Sequence, residues 1–182
     1  MQSIQTVSEN TIYVGASDRR LAKFENLFPI PRGVSYNAYV ILDEKTALLD
    51  TADASVGAQF LENVAAALDG RKLDYLIVDH MEPDHAAMIE AVLVRWPDLR
   101  LVVNAKTLPM LKMYFPTDSA AFDDALVVKE GDTLDLGKHK LTFVMAPMVH
   151  WPEVMMTFDT TTGTLFSADA FGTFGALEGA PF

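Results

Sequence analysis

In the stretch "YLIVDHMEPDHAAM", His80, Glu82, Asp84 and His85 follow directly on an apolar run, and all four can hold a proton or a metal. In extended chain, side chains two apart share a face, so His80 and Glu82 point the same way. Pro83 keeps Glu82 out of the helical region, and Asp84 is placed to cap a helix that follows. That turn carries Asp84 and His85 toward a neighbouring point. Imidazole nitrogen mixed with carboxylate oxygen suits first-row divalent metals, and two ligand pairs address two adjacent positions. The chain has no cysteine, which excludes disulfides, thiolate nucleophiles and cysteine-held metal sites.

Two more residues stand where a strand stops: His150 after "KLTFVMAP", and Asp169 at the end of "TLFSAD". Strand ends converge in a layered sheet fold, and Asp169 has two oxygens with which to bridge two metals. Taken singly, each residue has a plainer role. A histidine at a strand end is more often hydrogen-bonded or solvated, Asp84 suffices as a helix cap, and Glu82 as a solvated turn residue. Their combination after a buried strand is what favours metal binding. His139, between Lys138 and Lys140 in a polar turn, reads as an exposed residue.

The elements that must position these groups are short. "TIYVGA" (11–16), "YNAYVILD" (36–43), "TALLDT" (46–51), "YLIVDH" (75–80) and "LRLVVNA" (roughly 100–106) read as buried strands, with "DEKT" as a hairpin turn. Helical spacing of Phe60, Leu61, Val64 and Leu68 predicts a helix over 54–69 that ends at Gly70, and further helices are expected over 84–95 and 107–114. The chain then returns to strands in "TLDLG", "KLTFVMAP", "VMMTFDT" and "TLFSAD". Hairpins mixed with helices predict an α+β fold, with sheets in the middle and helices outside.

Half of the 182 residues are hydrophobic and 21% are charged, as in a single soluble domain. A net charge of −11 argues against nucleic acid, whose binding needs clustered Lys and Arg. No apolar run reaches the length of a membrane span, and the start lacks the basic and apolar segments of a secretory leader. A cytoplasmic location is expected.

On these residues the chain resembles the metallo-β-lactamase superfamily and, within it, the flavodiiron proteins. The superfamily's usual motif is His-x-His-x-Asp-His, and "HMEPDH" carries Glu82 where the second His would stand, which is the flavodiiron signature. The likeness runs on through "DRRLAKFENLFPIPRGVSYNAYVI", "HWPEVMMTFD" and "LFSADAFGTFG". The spacings agree too, with 64 residues between His85 and His150 and 18 between His150 and Asp169.

The resemblance implies an αββα sandwich, with His80, Glu82 and His150 on one iron, Asp84 and His85 at a second, and Asp169 bridging the two. In some members the residue matching His85 turns away from the metal. It also implies reduction of O2 to water or of NO to N2O. Electrons would arrive through FMN in a C-terminal flavodoxin-like domain, from a rubredoxin-like or flavin-reductase donor. Subunits would pair head to tail, bringing the flavin of one to the di-iron site of the other. The family's last iron-binding His and its flavodoxin domain lie past the position matching Phe182. Residues 1–182 therefore read as an incomplete di-iron domain, with the C-terminal part of the sandwich missing or supplied by a second chain.

Two other readings stand beside this one. The same fold supports binuclear metallohydrolases, in which a bridging hydroxide attacks an ester, thioester or lactam carbonyl. A metal-poor interaction domain, giving half a site to an oligomer, is the other. Glu82 weighs toward redox chemistry, because a hard anionic oxygen in place of imidazole favours iron or manganese over zinc. Trp151, Phe171 and Phe174 can line an apolar pocket for an uncharged gas, although packing in the core is the commoner use of such residues.

Overall fold

The computed structural model describes residues 3–115 and 120–178. Its strands, in chain order, are β1 (Gln5–Ser8), β2 (Thr11–Tyr13), β3 (Ala16–Asp18), β4 (Lys23–Phe24), β5 (Phe28–Pro29), β6 (Val34–Tyr36), β7 (Tyr39–Leu42), β8 (Thr46–Leu49), β9 (Tyr75–Ile77), β10 (Arg100–Asn104) and β11 (Leu126–Val128), then β12 (Thr133–Asp135), β13 (Lys140–Met145), β14 (Met155–Asp159) and β15 (Thr164–Phe166). The helices are α1 (Gly57–Leu68), α2 (Pro83–Ala86), α3 (Ile89–Arg95), α4 (Thr107–Tyr114) and α5 (Ala120–Asp123).

Seven strands form the first sheet in the order β1-β2-β7-β8-β9-β10-β11, and β12 to β15 form a second, antiparallel sheet. β8, β9, β10 and β11 run parallel because a helical crossover joins each to the next, whereas β1, β2, β7 and β8 meet as antiparallel neighbours. Both faces of the first sheet are covered, which is why its strands read as unbroken apolar runs. Val40, Leu48, Leu76 and Leu101 point to the helices, where Phe60 and Val64 of α1 meet them. Ile41, Leu49, Ile77 and Val102 point the other way, onto Leu141, Phe143 and Met155 of the second sheet. The order is thus helices, sheet, sheet, as the α+β sandwich requires. The outer face of the second sheet leaves Val144 and Leu165 exposed.

Several elements differ from the sequence-based expectation. "YLIVDH" is ladder only as far as Ile77, because the N–H of Asp79 is taken by Asp50 Oδ1 at 2.7 Å. The helix expected over 84–95 is two helices. The His85 carbonyl accepts from Thr51 N (2.8 Å) and Thr51 Oγ1 (2.6 Å) in place of the bond that would continue the helix. Asp84 lies inside the first turn of α2, whose N-cap is Glu82, so the capping role expected of Asp84 is not taken up. "TIYVGA" breaks at Gly15, where any side chain would begin 2.0 Å from the Tyr36 carbonyl. α1 ends as expected, on left-handed Asp69 (φ 46°) and Gly70 (φ 80°).

His139 is also different. It is 1% exposed, with Nδ1 2.8 Å from Asp159 Oδ2 and its N–H donating to Asp43 Oδ2 at 2.6 Å. The lysines on either side reach solvent, and the ring turns inward onto a buried acceptor.

Candidate metal centre

The cleft sits at the C-terminal ends of β8 and β9, the end of a parallel sheet where the chain is free to turn ligands outward. The loop after β9 brings His80 and Glu82, and α2 brings Asp84 and His85. His150 comes from the loop between β13 and β14, and Asp169 from the turn after β15. Left-handed Ala168 (φ 49°) bends that turn beyond the last ladder residue, Phe166. All six residues named from the sequence converge.

They fall into two groups with one member in common. His80, Glu82, His150 and Asp169 form the first and Asp84, His85 and Asp169 the second, and within each group the ligand atoms lie within 4.8 Å of one another. Glu82 Oε2 stands 3.2 Å from His80 Nε2 and 2.7 Å from His150 Nε2. Asp169 divides its oxygens: Oδ2 is 3.3 Å from both His80 Nε2 and His150 Nε2, while Oδ1 is 2.8 Å from His85 Nε2. His85 thus faces the shared carboxylate.

Electrostatics drive the cluster toward cations. Burial opposes a charged His80 ring, yet hydrogen bonds to Asp169, Glu153 and Glu82 outweigh it and push its pKa up to about 11. His85 is raised in the same sense by Asp169 and Asp50 against its own burial. Burial also opposes an ionised Asp169, but the bonds from His80 and His85 hold its carboxyl far below the ordinary range. Asp84 goes the other way: burial pushes it up to about 6, the nearby His85 charge offsets part of this, and the charges of Asp169 and Glu82 add to it. Its Oδ1 is buried without a hydrogen-bond partner among the described residues. Protons on the His80 and His85 rings offset part of the charge of the facing carboxylates, a role that bound divalent ions would take over. The donor set and this orphaned oxygen both fit such ions.

Sequence reasoning missed the carboxylates behind the rings. Glu153 accepts from His80 Nδ1, and Asp50 lies 3.0 Å from His85 Nδ1. The signal for Asp50 was its place at the end of "TALLD", the strand beside "YLIV". Asp79 is buried as well, and takes the Thr157 hydroxyl at 2.8 Å to tie the two sheets together.

Above the ligands is a cavity of about 450 Å³, with Glu82, Asp84, His85, His150 and Asp169 on its floor. Phe24, Phe28 and Phe174 make its apolar wall, the Phe174 ring centroid lying 5.1 Å from that of Phe24 and 6.2 Å from that of Phe28. β4 and β5 hold Phe24 and Phe28 there through a tight turn at Glu25 and Asn26, both left-handed. Of the aromatic residues expected around a gas pocket, only Phe174 is in it. Trp151 packs edge-on against His80 at 5.4 Å, and Phe171 projects into solvent at 89% exposure.

Residues 34–180 match the family described as ODP family beta lactamase. The chain belongs to that family. Among curated ODP relatives, the anaerobic nitric oxide reductase flavorubredoxin of Klebsiella pneumoniae is 38% identical over 168 residues, covering 91% of this chain and 34% of that protein. The putative diflavin flavoprotein A 1 of Thermosynechococcus vestitus is 38% identical over 169 residues, covering 91% and 28%. This chain thus spans about a third of the length of the curated relatives it matches. Among solved structures, the rubredoxin oxygen:oxidoreductase of Desulfovibrio gigas superposes with a TM-score of 0.90 at 31% identity, covering 96% of this chain and 43% of that one. The flavodiiron protein of Giardia intestinalis superposes at 0.88 with 27% identity, covering 97% and 42%. The flavodiiron resemblance and the fold read from the sequence both hold.

Proposed function

We propose that this ODP domain holds a non-haem di-iron centre and serves a flavodiiron-type reductase of O2 or NO. His80, Glu82 and His150 would hold one iron, Asp84 and His85 the other, and Asp169 both. Such a centre, when loaded with ferrous ions, would supply redox chemistry at one place, one electron per iron. What the chain itself contributes is position and charge. Glu82 puts an anionic oxygen, where an imidazole would be neutral, between His80 and His150. The apolar wall of Phe24, Phe28 and Phe174 suits an uncharged diatomic better than a hydrated ester or lactam.

The single observation that carries this reading is the division of Asp169 between two ligand groups, with Glu82 in the first. The relatives named as nitric oxide reductase and as oxygen oxidoreductase support the substrate pair. The second group has three ligand residues among those described, against four in the first. That supports completion by a residue outside the described set, from further chain or a second chain, while head-to-tail pairing of subunits would bring the flavin of one to the site of the other. FMN and a rubredoxin-like or flavin-reductase donor would supply electrons from outside these residues, in a cytoplasmic setting. No helix among the described residues is long and apolar enough to cross a membrane.

The test is anaerobic reconstitution with Fe(II) and Zn(II) in competition, followed by metal analysis and by O2 and NO consumption with a reduced flavoprotein donor. Iron bound and O2 or NO consumed is the expected result. Zinc alone bound, with hydrolysis of a thioester and no gas consumption, would replace this reading with the hydrolase.

A further inference from the structure

Behind His80, on the side away from the cleft, Glu153 Oε1 lies 2.8 Å from the ring Nδ1 and 2.9 Å from the backbone N of Met81. One oxygen therefore fixes both the ring and the peptide that follows it. The residue is 1% exposed, and its other oxygen, Oε2, is buried with no hydrogen-bond partner among the described residues. A carboxylate kept for packing alone would carry that desolvation without return.

Its own placement is rigid. The Glu153 carbonyl accepts from Asn104 Nδ2 at 2.5 Å, and Asn104 Oδ1 in turn accepts from Lys106 N and Thr107 N at the start of α4. The link thus runs from the end of β10 through Glu153 to His80. Among the described residues His150 has no such counterpart: its Nε2 faces Glu82, and its side chain is 57% exposed.

We infer that Glu153 is the positioning residue of the first metal position, holding His80 with Nδ1 protonated and Nε2 turned to Glu82 and Asp169. A full negative charge on Nδ1–H makes Nε2 a stronger donor to a divalent ion than a neutral acceptor would. Asp50 does the same for His85, but it also carries the Asp79 N–H, so its substitution mixes two effects. Glu153 touches no position where substrate would sit. This inference rests on the two-metal reading above.

The test is Co(II) titration of the 182-residue chain, wild type and Glu153→Gln, with His80→Ala and the double variant completing a cycle. Glutamine keeps an acceptor and the shape while removing the charge. Glu153→Gln is expected to weaken Co(II) binding by about 10- to 100-fold and to shift the Co(II) visible bands, with the far-UV spectrum unchanged. In the His80→Ala background the same change should alter affinity by less than about twofold. Equal binding by wild type and Glu153→Gln would overturn the inference and leave the two-metal reading standing. So would an equal loss in both backgrounds, which marks a structural role.

Wild type that binds no Co(II) overturns the two-metal reading itself. A second measurement needs no metal. The imidazole N–H proton of His80 should be visible by NMR in the wild type, slow to exchange, and lost or shifted in Glu153→Ala. Its absence from a folded wild-type chain overturns the positioning role whatever the metal does.

Discussion

Oδ1 of Asp169 stands 2.8 Å from Nε2 of His85, across 84 positions of sequence, while Oδ2 of the same carboxylate serves His80 and His150. One side chain from the turn after β15 thus joins ligands from three other segments. The expected consequence is that Asp169→Asn reduces metal binding from two ions to one or none. The fold should survive, since the carboxylate is 37% exposed and no core contact depends on its charge. Metal analysis after gel filtration, beside a far-UV spectrum, checks it. Two ions retained in the variant would show that Asp169 does not bridge.

The same cluster sets a pH dependence whose sign differs between the metal-free and loaded states. His80, ordinarily at 6.5, is raised to about 11 in the fold. Its contribution is complete below the unfolded value and drains away as pH rises through the folded one. Asp84, raised to about 6, also destabilises the fold as pH rises, because the folded chain gives up that proton later than the unfolded chain. Asp169 is depressed, so its share is present above the ordinary carboxylate value and is lost in acid. Metal-free chain should therefore be most stable at about pH 4, lose the Asp84 share by about pH 6, and lose more as His80 deprotonates toward pH 10. Metal binding expels the ring protons, so affinity should rise with pH over that range. Urea midpoints across the range, with and without Zn(II), read both slopes. His80→Ala should flatten the metal-free alkaline limb.

Asp50 combines a strained backbone with two hydrogen-bonding duties. It sits at φ 55°, accepts the Asp79 N–H at 2.7 Å on Oδ1, and meets His85 Nδ1 at 3.0 Å on Oδ2. Asparagine tolerates the left-handed region and keeps an acceptor, whereas alanine does neither. Asp50→Ala should thus cost about 2–4 kcal/mol, and Asp50→Asn clearly less. Both should weaken binding at the Asp84 and His85 position. Denaturant unfolding of the two variants separates strain from ligand placement, and equal losses would remove the backbone argument.

The six candidate residues were legible as a group because they stand at or just beyond the ends of apolar runs, while their assignment to two metal positions came from the flavodiiron resemblance. The helix spans 54–69 and 107–114 were equally plain from spacing. What the sequence concealed came from groups far apart along the chain. The interruption between α2 and α3 depends on Thr51 taking the His85 carbonyl, and the early end of β9 depends on Asp50. Glu153 carried no signal in the sequence, because its role exists only once Asn104 has fixed its backbone. His139 was misread for a related reason. Its charged neighbours describe the turn, and the acceptor that buries it lies 20 residues on.

That acceptor, Asp159, is fully buried and receives His139 Nδ1, the Thr161 N–H at 2.9 Å and the Thr162 hydroxyl at 2.6 Å. Burial alone would raise its pKa, but the Thr162 and His139 bonds outweigh this and hold it below the ordinary value. The pair also anchors Asp43, in the turn that leads into β8, while the metal cleft opens where β8 ends. Truncating Asp159 leaves three donors without an acceptor at the far end of the sheets from the ligands. Asp159→Ala should therefore destabilise the fold by about 3 kcal/mol or more, yet leave metal affinity in the folded fraction unchanged. Because its pKa is depressed, the wild-type contribution is present above the ordinary carboxylate range and disappears as pH falls below it. The stability gap between wild type and variant should accordingly close in acid. Urea unfolding at neutral and acid pH measures the gap, and Co(II) titration measures the affinity. A loss of metal binding equal to that of the ligand variants would mean that the two ends of the sandwich are not independent.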